Sequence, residues 1–157
     1  MKGLFGIKDV VLLCKENADK LVELENKCFT SPWSYTMFLG DLESEHTYYL
    51  GVFNDKNELV GYIGMWDVGD TGEITNVAVH PDYRRMGIAK KLVYELENIC
   101  LNKHKLYINL EVRESNSSAI SLYTKFGFEK VGLRKNYYKN PTENAILMTK
   151  RLCERND

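Results

Sequence analysis

Several absences narrow what this 157-residue chain can do. Its four cysteines, Cys14, Cys28, Cys100 and Cys153, stand far apart, and no two share a C-x-x-C spacing. Neither a zinc ribbon nor a dithiol redox motif is suggested. The three histidines, His46, His80 and His104, share no helix face, so no metal site and no catalytic triad is expected. No apolar run approaches the length of a membrane span. The short patch Val10-Val-Leu-Leu13 follows Lys8 and Asp9 and is too brief for a signal core. A net charge of −1 at pH 7 argues against a broad nucleic-acid surface. There is no internal repeat, low-complexity tract or linker. The expectation is one α/β domain over 1–152 with a polar tail at 153–157, in a reducing cytoplasm and off the membrane.

What is present is organised around Glu73-Ile-Thr-Asn-Val-Ala-Val-His80 and the loop that follows it. A β-branched run stops at Pro81. A basic loop with Gly87 then opens into a helical pattern of Ile88, Leu92, Leu96 and Ile99. A helix start leaves amides unpaired, and the helix dipole adds positive potential there. Arg84, Arg85, Lys90 and Lys91 surround it with charge, and Gly87 lets a ligand approach the backbone. The unit reads as a cradle for a polyanion such as a pyrophosphate. Neither G-x-G-x-x-G nor G-x-x-x-x-G-K-[ST] occurs. The run Arg84-x-x-Gly87-x-Ala89 instead resembles the acetyl-CoA signature of the GCN5-related N-acetyltransferase superfamily, with Ala89 where Gly is commoner.

The remaining periodicity gives an ordered list of elements. Val10 to Leu13 reads as a short buried strand, and residues 17–28 as a helix with Leu21, Leu24 and Cys28 on one face. Pro32 breaks that helix, and Ser34 caps a second one through Leu42. Strands follow at 46–53, 58–66 and 73–80, the first two as a hairpin around Asn54-Asp-Lys-Asn57. After the long helix, Lys105 to Arg113 alternates, with Ile108, Leu110 and Val112 on one side and Asn109 and Glu111 on the other. Ser115 or Asn116 caps a further helix that Gly127 ends. Strands at 128–133 and 145–150 close the chain. The order predicts a mixed central sheet flanked by helices.

Two side chains could carry chemistry. Glu111 is an exposed strand carboxylate pairing with Arg113 or Lys105, or else a general base. Tyr123 is a core tyrosine with a satisfied hydroxyl, or else a donor to a leaving thiolate. A phenol has pKa near 10 and a thiol near 8.5, so full transfer runs uphill by about 2 kcal/mol. Hydrogen-bonding to the sulfur as charge develops is the easier role. Asn116 is a cap whose amide could also reach a cofactor. Trp33 and Tyr35, with Tyr137 and Tyr138, form two aromatic pairs in expected loops, either as core packing or as a substrate wall. No serine has a nucleophile-elbow context, so direct attack by an amine on a bound thioester fits better than a covalent intermediate.

Phe29-Thr-Ser-Pro-Trp-Ser34, Asn76-Val-Ala-Val79, Leu110-Glu-Val-Arg113, Ser115-Asn-Ser-Ser-Ala-Ile120, Leu122-Tyr-Thr-Lys-Phe-Gly-Phe128 and Arg134-Lys-Asn-Tyr-Tyr138 occur in that order. Together they resemble the bacterial ribosomal-protein-alanine N-acetyltransferases, the RimI type. The resemblance implies the N-acetyltransferase fold, acetyl-CoA as co-substrate, no metal, and a protein N-terminus as acceptor, the alanine of a small-subunit ribosomal protein. It implies that Glu111 is the proton acceptor and Tyr123 the donor. Cofactor contacts fall on Val77, Ala78 and Val79, on Arg85, Met86, Gly87, Ile88, Ala89 and Lys90, and on Asn116. Asn144 stands where the family usually has Asp. An α-amine, with pKa near 8, is neutralised at pH 7.5 for well under 1 kcal/mol, against about 4 kcal/mol for a lysine near 10.4. The alternatives are a small amine, for which Glu43, Glu45, Asp67 and Asp70 could supply acid, and a CoA-binding module without turnover.

Overall fold

The computed structural model describes residues 5–152, so Cys153 and the polar tail at 153–157 lie outside the described residues. Seven strands form one sheet in the order β1-β2-β3-β4-β5-β7-β6. They are β1 (Val11–Leu12), β2 (Thr47–Phe53), β3 (Leu59–Val68), β4 (Thr71–Val79), β5 (Tyr107–Arg113), β6 (Glu129–Tyr138) and β7 (Glu143–Arg151). The helices are α1 (Ala18–Cys28), α2 (Tyr35–Glu43), α3 (Ile88–Asn102) and α4 (Ser117–Lys125). Element order and type match the sequence reading, and among the described strands only the β4–β5 pair is parallel. Among the described residues no helix is long and apolar enough to cross a membrane.

The sheet is covered on both faces, and the alternation of each strand decides which side chain goes where. On one face Val52, Ile63, Met65, Ile108, Leu110, Val112 and Met148 pack against Ile88, Leu92, Leu96 and Cys100 of α3 and Tyr123 of α4. On the other, Tyr49, Leu59, Tyr62 and Ala78 pack against Leu21 and Leu24 of α1 and Phe38 of α2. Ser34 caps α2 by accepting from the Met37 amide, and Asn116 caps α4 by accepting from the Ala119 amide. Asn116, rather than Ser115, is therefore the cap.

Two elements depart from the sequence reading. The apolar run at 10–13 is not a buried strand: β1 is two exposed residues at the sheet edge, and only Leu13 is buried. A run this short is shared between an edge pairing and one anchor in the core. The penultimate strand does not stop at Leu133 but runs on to Tyr138. Its polar stretch is tolerated because β6 is an edge strand with almost every residue exposed. Cys28, expected to be a buried thiol, is half-buried and donates to the Val79 carbonyl at 3.4 Å, whereas Cys100 is buried as expected.

What positions the site is the relation of β4 to its neighbours. Gly64 of β3 faces Asn76, but Met65 faces Ile74, so Thr75 is the extra residue of a β-bulge. The parallel pairing of β4 with β5 ends two residues earlier, at Glu73 opposite Asn109. A bulge bends and twists its strand. Beyond it, residues 74–79 of β4 and 110–113 of β5 are unpaired with each other.

The cradle loop is set against the sheet through Gly61, where a Cβ would lie 2.5 Å from Ile88 Cγ2. Gly61→Ala is expected to push the start of α3 off β3 and to cost about 1–3 kcal/mol, read as a lower urea midpoint at unchanged m-value.

Candidate active site

The backbone of β4 prepares one wall. The His80 amide donates to the Val60 carbonyl at 2.8 Å, which fixes the phase of the β3–β4 ladder. In an antiparallel pair, residues alternate between those whose amide and carbonyl face the partner strand and those whose groups face away. His80, Ala78 and Asn76 face β3. Val77 and Val79 therefore turn their amides and carbonyls toward the gap where β5 has parted. The Val79 carbonyl is taken by Arg84 Nε at 3.2 Å and by the Cys28 thiol. The remaining groups of Val77 and Val79 present a strand edge to any extended chain laid in the gap. The Ala78 side chain is buried under α1, so this residue lines the gap only through its neighbours.

The loop after β4 forms a cradle. His80 Nδ1 accepts from the Asp82 amide at 3.0 Å and begins a short 3-10 turn at Pro81–Tyr83. Arg85 and Gly87 both have positive φ, 64° and 79°. Nothing lies within 4 Å of where a Gly87 Cβ would be, so the glycine serves its backbone conformation. The first backbone bond of α3 is Lys91 N–H to the Gly87 carbonyl. The amides of Ile88, Ala89 and Lys90 are left without intrahelical partners, and the first turn carries no acidic residue. Met86, Arg85 and Lys90 are exposed around this opening, while the Ile88 side chain is buried and anchors the helix. Arg84 clips the loop to Val79 rather than opening into the cradle. Unpaired amides, the positive end of a 15-residue helix and flanking cations fit a pyrophosphate.

Glu111 extends from β5 on the sheet face opposite the α3 core, beside Asn109, whose amide donates to Glu73 at 3.0 Å. The Glu111 carboxylate pairs with neither Arg113 nor Lys105. It meets Arg134 Nε of β6 at 3.3 Å. The Tyr137 hydroxyl also bonds to it, and that bond, more than burial, raises the Tyr137 pKa. Arg134 lies over the Tyr137 ring, 5.7 Å from its centre. Burial, reinforced by the charge of Glu111, pushes the Tyr138 phenol up to about 12. Tyr137 and Tyr138 pack edge to face at 5.1 Å. The two tyrosines thus belong to a strand beside the Glu111 carboxylate, not to a loop.

Tyr123 completes the group from α4. It is buried and packs on Phe128, with ring centres 5.5 Å apart. Burial, with Tyr138 nearby, holds its phenol well above the ordinary value. The other buried tyrosines are all hydrogen-bonded: Tyr49 to Asp41, Tyr62 to Glu25 and Tyr83 to Asn54. Among the described residues the Tyr123 hydroxyl has no such partner. Tyr123 is thus a core tyrosine whose hydroxyl is left to solvent or a ligand rather than to the protein. Asn116 spends its Oδ1 on the helix cap and on Ser118, which leaves its amide nitrogen free to donate.

The aromatic pair near Pro32 behaves differently. Trp33 is half-buried and packs on Phe38 at 5.6 Å, while Tyr35 is exposed in the first turn of α2. No contact joins either to Glu111. Sequence reasoning missed Arg134 as the partner of Glu111, because nothing in the local pattern pairs β6 with β5 across β7. It also missed Glu25, which is 2% exposed. The signal was present, since Glu25 interrupts the apolar stripe of Leu21, Leu24 and Cys28. At position 144, the Asn amide donates to Glu114 at 3.0 Å and its oxygen accepts from the Asn136 amide. An aspartate there would set a second carboxylate against Glu114. Asp67, one of the acids considered for a small-amine pocket, is engaged by Lys103 and Lys105, and that pairing lowers its pKa. Among the described residues no group of side chains could hold a metal ion.

The chain as a whole is similar to several known proteins. A Bacillus subtilis relative is 40% identical over 134 residues, covering 85% of this chain and 88% of its own. The ribosomal protein bS18-alanine N-acetyltransferase of Haemophilus influenzae is 35% identical over 133 residues, covering 83% of this chain and 89% of its own. The crystal structure of the ribosomal-protein-S18-alanine N-acetyltransferase from Escherichia coli superposes with a TM-score of 0.87 at 26% identity, covering 96% of this chain and 98% of that one. The model of the Acetyltransferase (GNAT) family matches residues 18–128, and the chain belongs to that family.

Proposed function

We propose that the chain transfers an acetyl group from acetyl-CoA to the N-terminal α-amine of a protein, and that the acceptor is the alanine of ribosomal protein bS18. The observation that carries this reading is the Haemophilus influenzae relative named for that reaction, which matches along most of both chains. The setting is the cytoplasm, where ribosomal proteins are made.

The residue roles follow from chemistry. Acetyl-CoA, when bound, supplies the thioester carbon that the amine attacks. The amides of Ile88, Ala89 and Lys90, with Arg85, Met86 and Gly87 around them, hold its pyrophosphate. Val77 and Val79 hydrogen-bond the extended arm with their outward backbone groups, and Asn116 donates to the cofactor from the start of α4. Glu111 takes the proton from the amine through a water, on the face where its carboxylate is partly exposed. Tyr123 hydrogen-bonds the sulfur as the thiolate forms. Its raised pKa supports that role over full proton transfer, because a weaker acid is a worse proton donor but keeps its hydrogen at any working pH. Tyr137 and Tyr138 orient the acceptor next to Glu111, with Trp33 and Tyr35 on the opposite wall.

Two peptides test this, one with a free Ala-Arg N-terminus and one blocked at the N-terminus with an internal lysine. Acetyl-CoA is expected to modify only the free α-amine, located by mass spectrometry. Transfer to the blocked peptide would make lysine the substrate class. Glu111→Gln is expected to lower kcat/KM by about 10²–10³-fold. Tyr123→Phe is expected to lower kcat by about 10–10²-fold with little change in acetyl-CoA affinity, read by single-turnover kinetics and calorimetry.

A further inference from the structure

Glu25 has no part in the chemistry just described, yet among the described residues it is the one carboxyl in the fully buried core. Burial raises its pKa, and the bonds from Tyr62 and Trp33 oppose that rise. No cation pairs with it among the described residues. A buried carboxyl without a counter-charge is expensive, and a hydrophobic residue on this stripe of α1 would pack at no such cost. Its three partners are all donors. The Tyr62 hydroxyl gives to Oε2 at 2.6 Å, while the Trp33 backbone amide and the Asn76 side chain give to Oε1 at 3.4 and 3.5 Å.

Those partners join two parts of the site. Trp33 belongs to the segment between α1 and α2. Among the described residues, its amide makes the one hydrogen bond that residues 30–33 form. Asn76 lies on β4 immediately before Val77, at the bulge where the strand leaves β5. Tyr62, fully buried and stacked on Tyr49 at 6.0 Å, holds the carboxyl in place from β3. One carboxyl oxygen thus ties the Trp33 wall to the strand that carries the outward Val77 and Val79 groups.

We infer that Glu25 is a positioning residue that fixes the Trp33 segment against β4 and so sets where the acceptor peptide enters. This rests on the peptide N-acetyltransferase reading above. Glu25 does not touch the acceptor, because it is closed off from solvent. It acts through Trp33. A carboxylate offers acceptors on both oxygens, whereas Gln turns an NH₂ toward one set of donors. Loss of the tether frees the wall and leaves the cradle intact.

The test is steady-state kinetics of Glu25→Gln with the free Ala-Arg peptide, alongside acetyl-CoA titration and thermal unfolding. The peptide KM is expected to rise about tenfold, with kcat and acetyl-CoA Kd within about twofold of the unmutated enzyme. In a Trp33→Ala background the same substitution is expected to change the peptide KM by less than about twofold, because the backbone amide still meets Glu25 but the indole that the tether positions is gone. If Glu25→Gln does not fold, Tyr62→Phe removes the 2.6 Å bond but keeps the ring, and is expected to give the same split at about threefold. An unchanged peptide KM in the folded variant overturns the inference, as do parallel losses in peptide KM and acetyl-CoA affinity, or full additivity with Trp33→Ala. If the unmutated enzyme transfers nothing to the free peptide, the functional reading fails instead, and the two failures are told apart by that control.

Discussion

The separation of β4 from β5 after Glu73 and Asn109 is the constraint on which the rest of the molecule depends. A sheet interior normally satisfies every backbone group by pairing. Here a bulge at Thr75 turns one strand away, and a row of amides and carbonyls is exposed in the middle of the structure rather than at its edge. α3 packs on the face formed by β2, β3 and β4, and its unpaired N-terminal amides follow the turn after β4. The polar groups that a compact fold would otherwise hide are gathered at one place, where a long, flexible, anionic ligand can use all of them.

The two faces of the sheet then divide the work. The face under α3 and α4 is largely apolar; of its two buried phenols, Tyr83 accepts from Asn54, whereas Tyr123 has no protein partner among the described residues. The face under α1 and α2 mixes aromatic packing with hydrogen bonds accepted by Glu25, Asp41 and Glu73, and continues into the partly exposed Glu111. In the proposed reaction, the phenol that meets the leaving sulfur is enclosed and the carboxylate that takes the amine's proton is partly open to solvent, on opposite faces of the sheet.

Much of this was legible in the sequence. Element order, the caps at Ser34 and Asn116, the inward face of β5 and the cradle before α3 are local, because each depends on residues within a few positions. The bulge was not legible, since Thr75 is an ordinary β-branched residue and only the pairing with Gly64 and Met65 shows it to be surplus. The length of β6 was hidden because an edge strand can be polar throughout. The Arg134–Glu111 pair joins residues separated by an intervening strand, which no periodicity reports. Glu25 was readable, as a charge on an apolar stripe, and its partners Tyr62 and Asn76 were not, because they come from elsewhere in the chain.

The cap of α3 has a thermodynamic consequence. Gly87 offers no side-chain acceptor, so the first amides of this helix have no cap from the protein among the described residues. An anion seated there completes the helix, and its binding free energy is added to the folded state by linkage. At a ligand concentration of 100 times Kd, that contribution is about 2.7 kcal/mol. Few single side chains contribute as much. With the acyl carrier in the proposed cradle, the apparent melting temperature of this chain becomes partly a reading of how much of that carrier surrounds it.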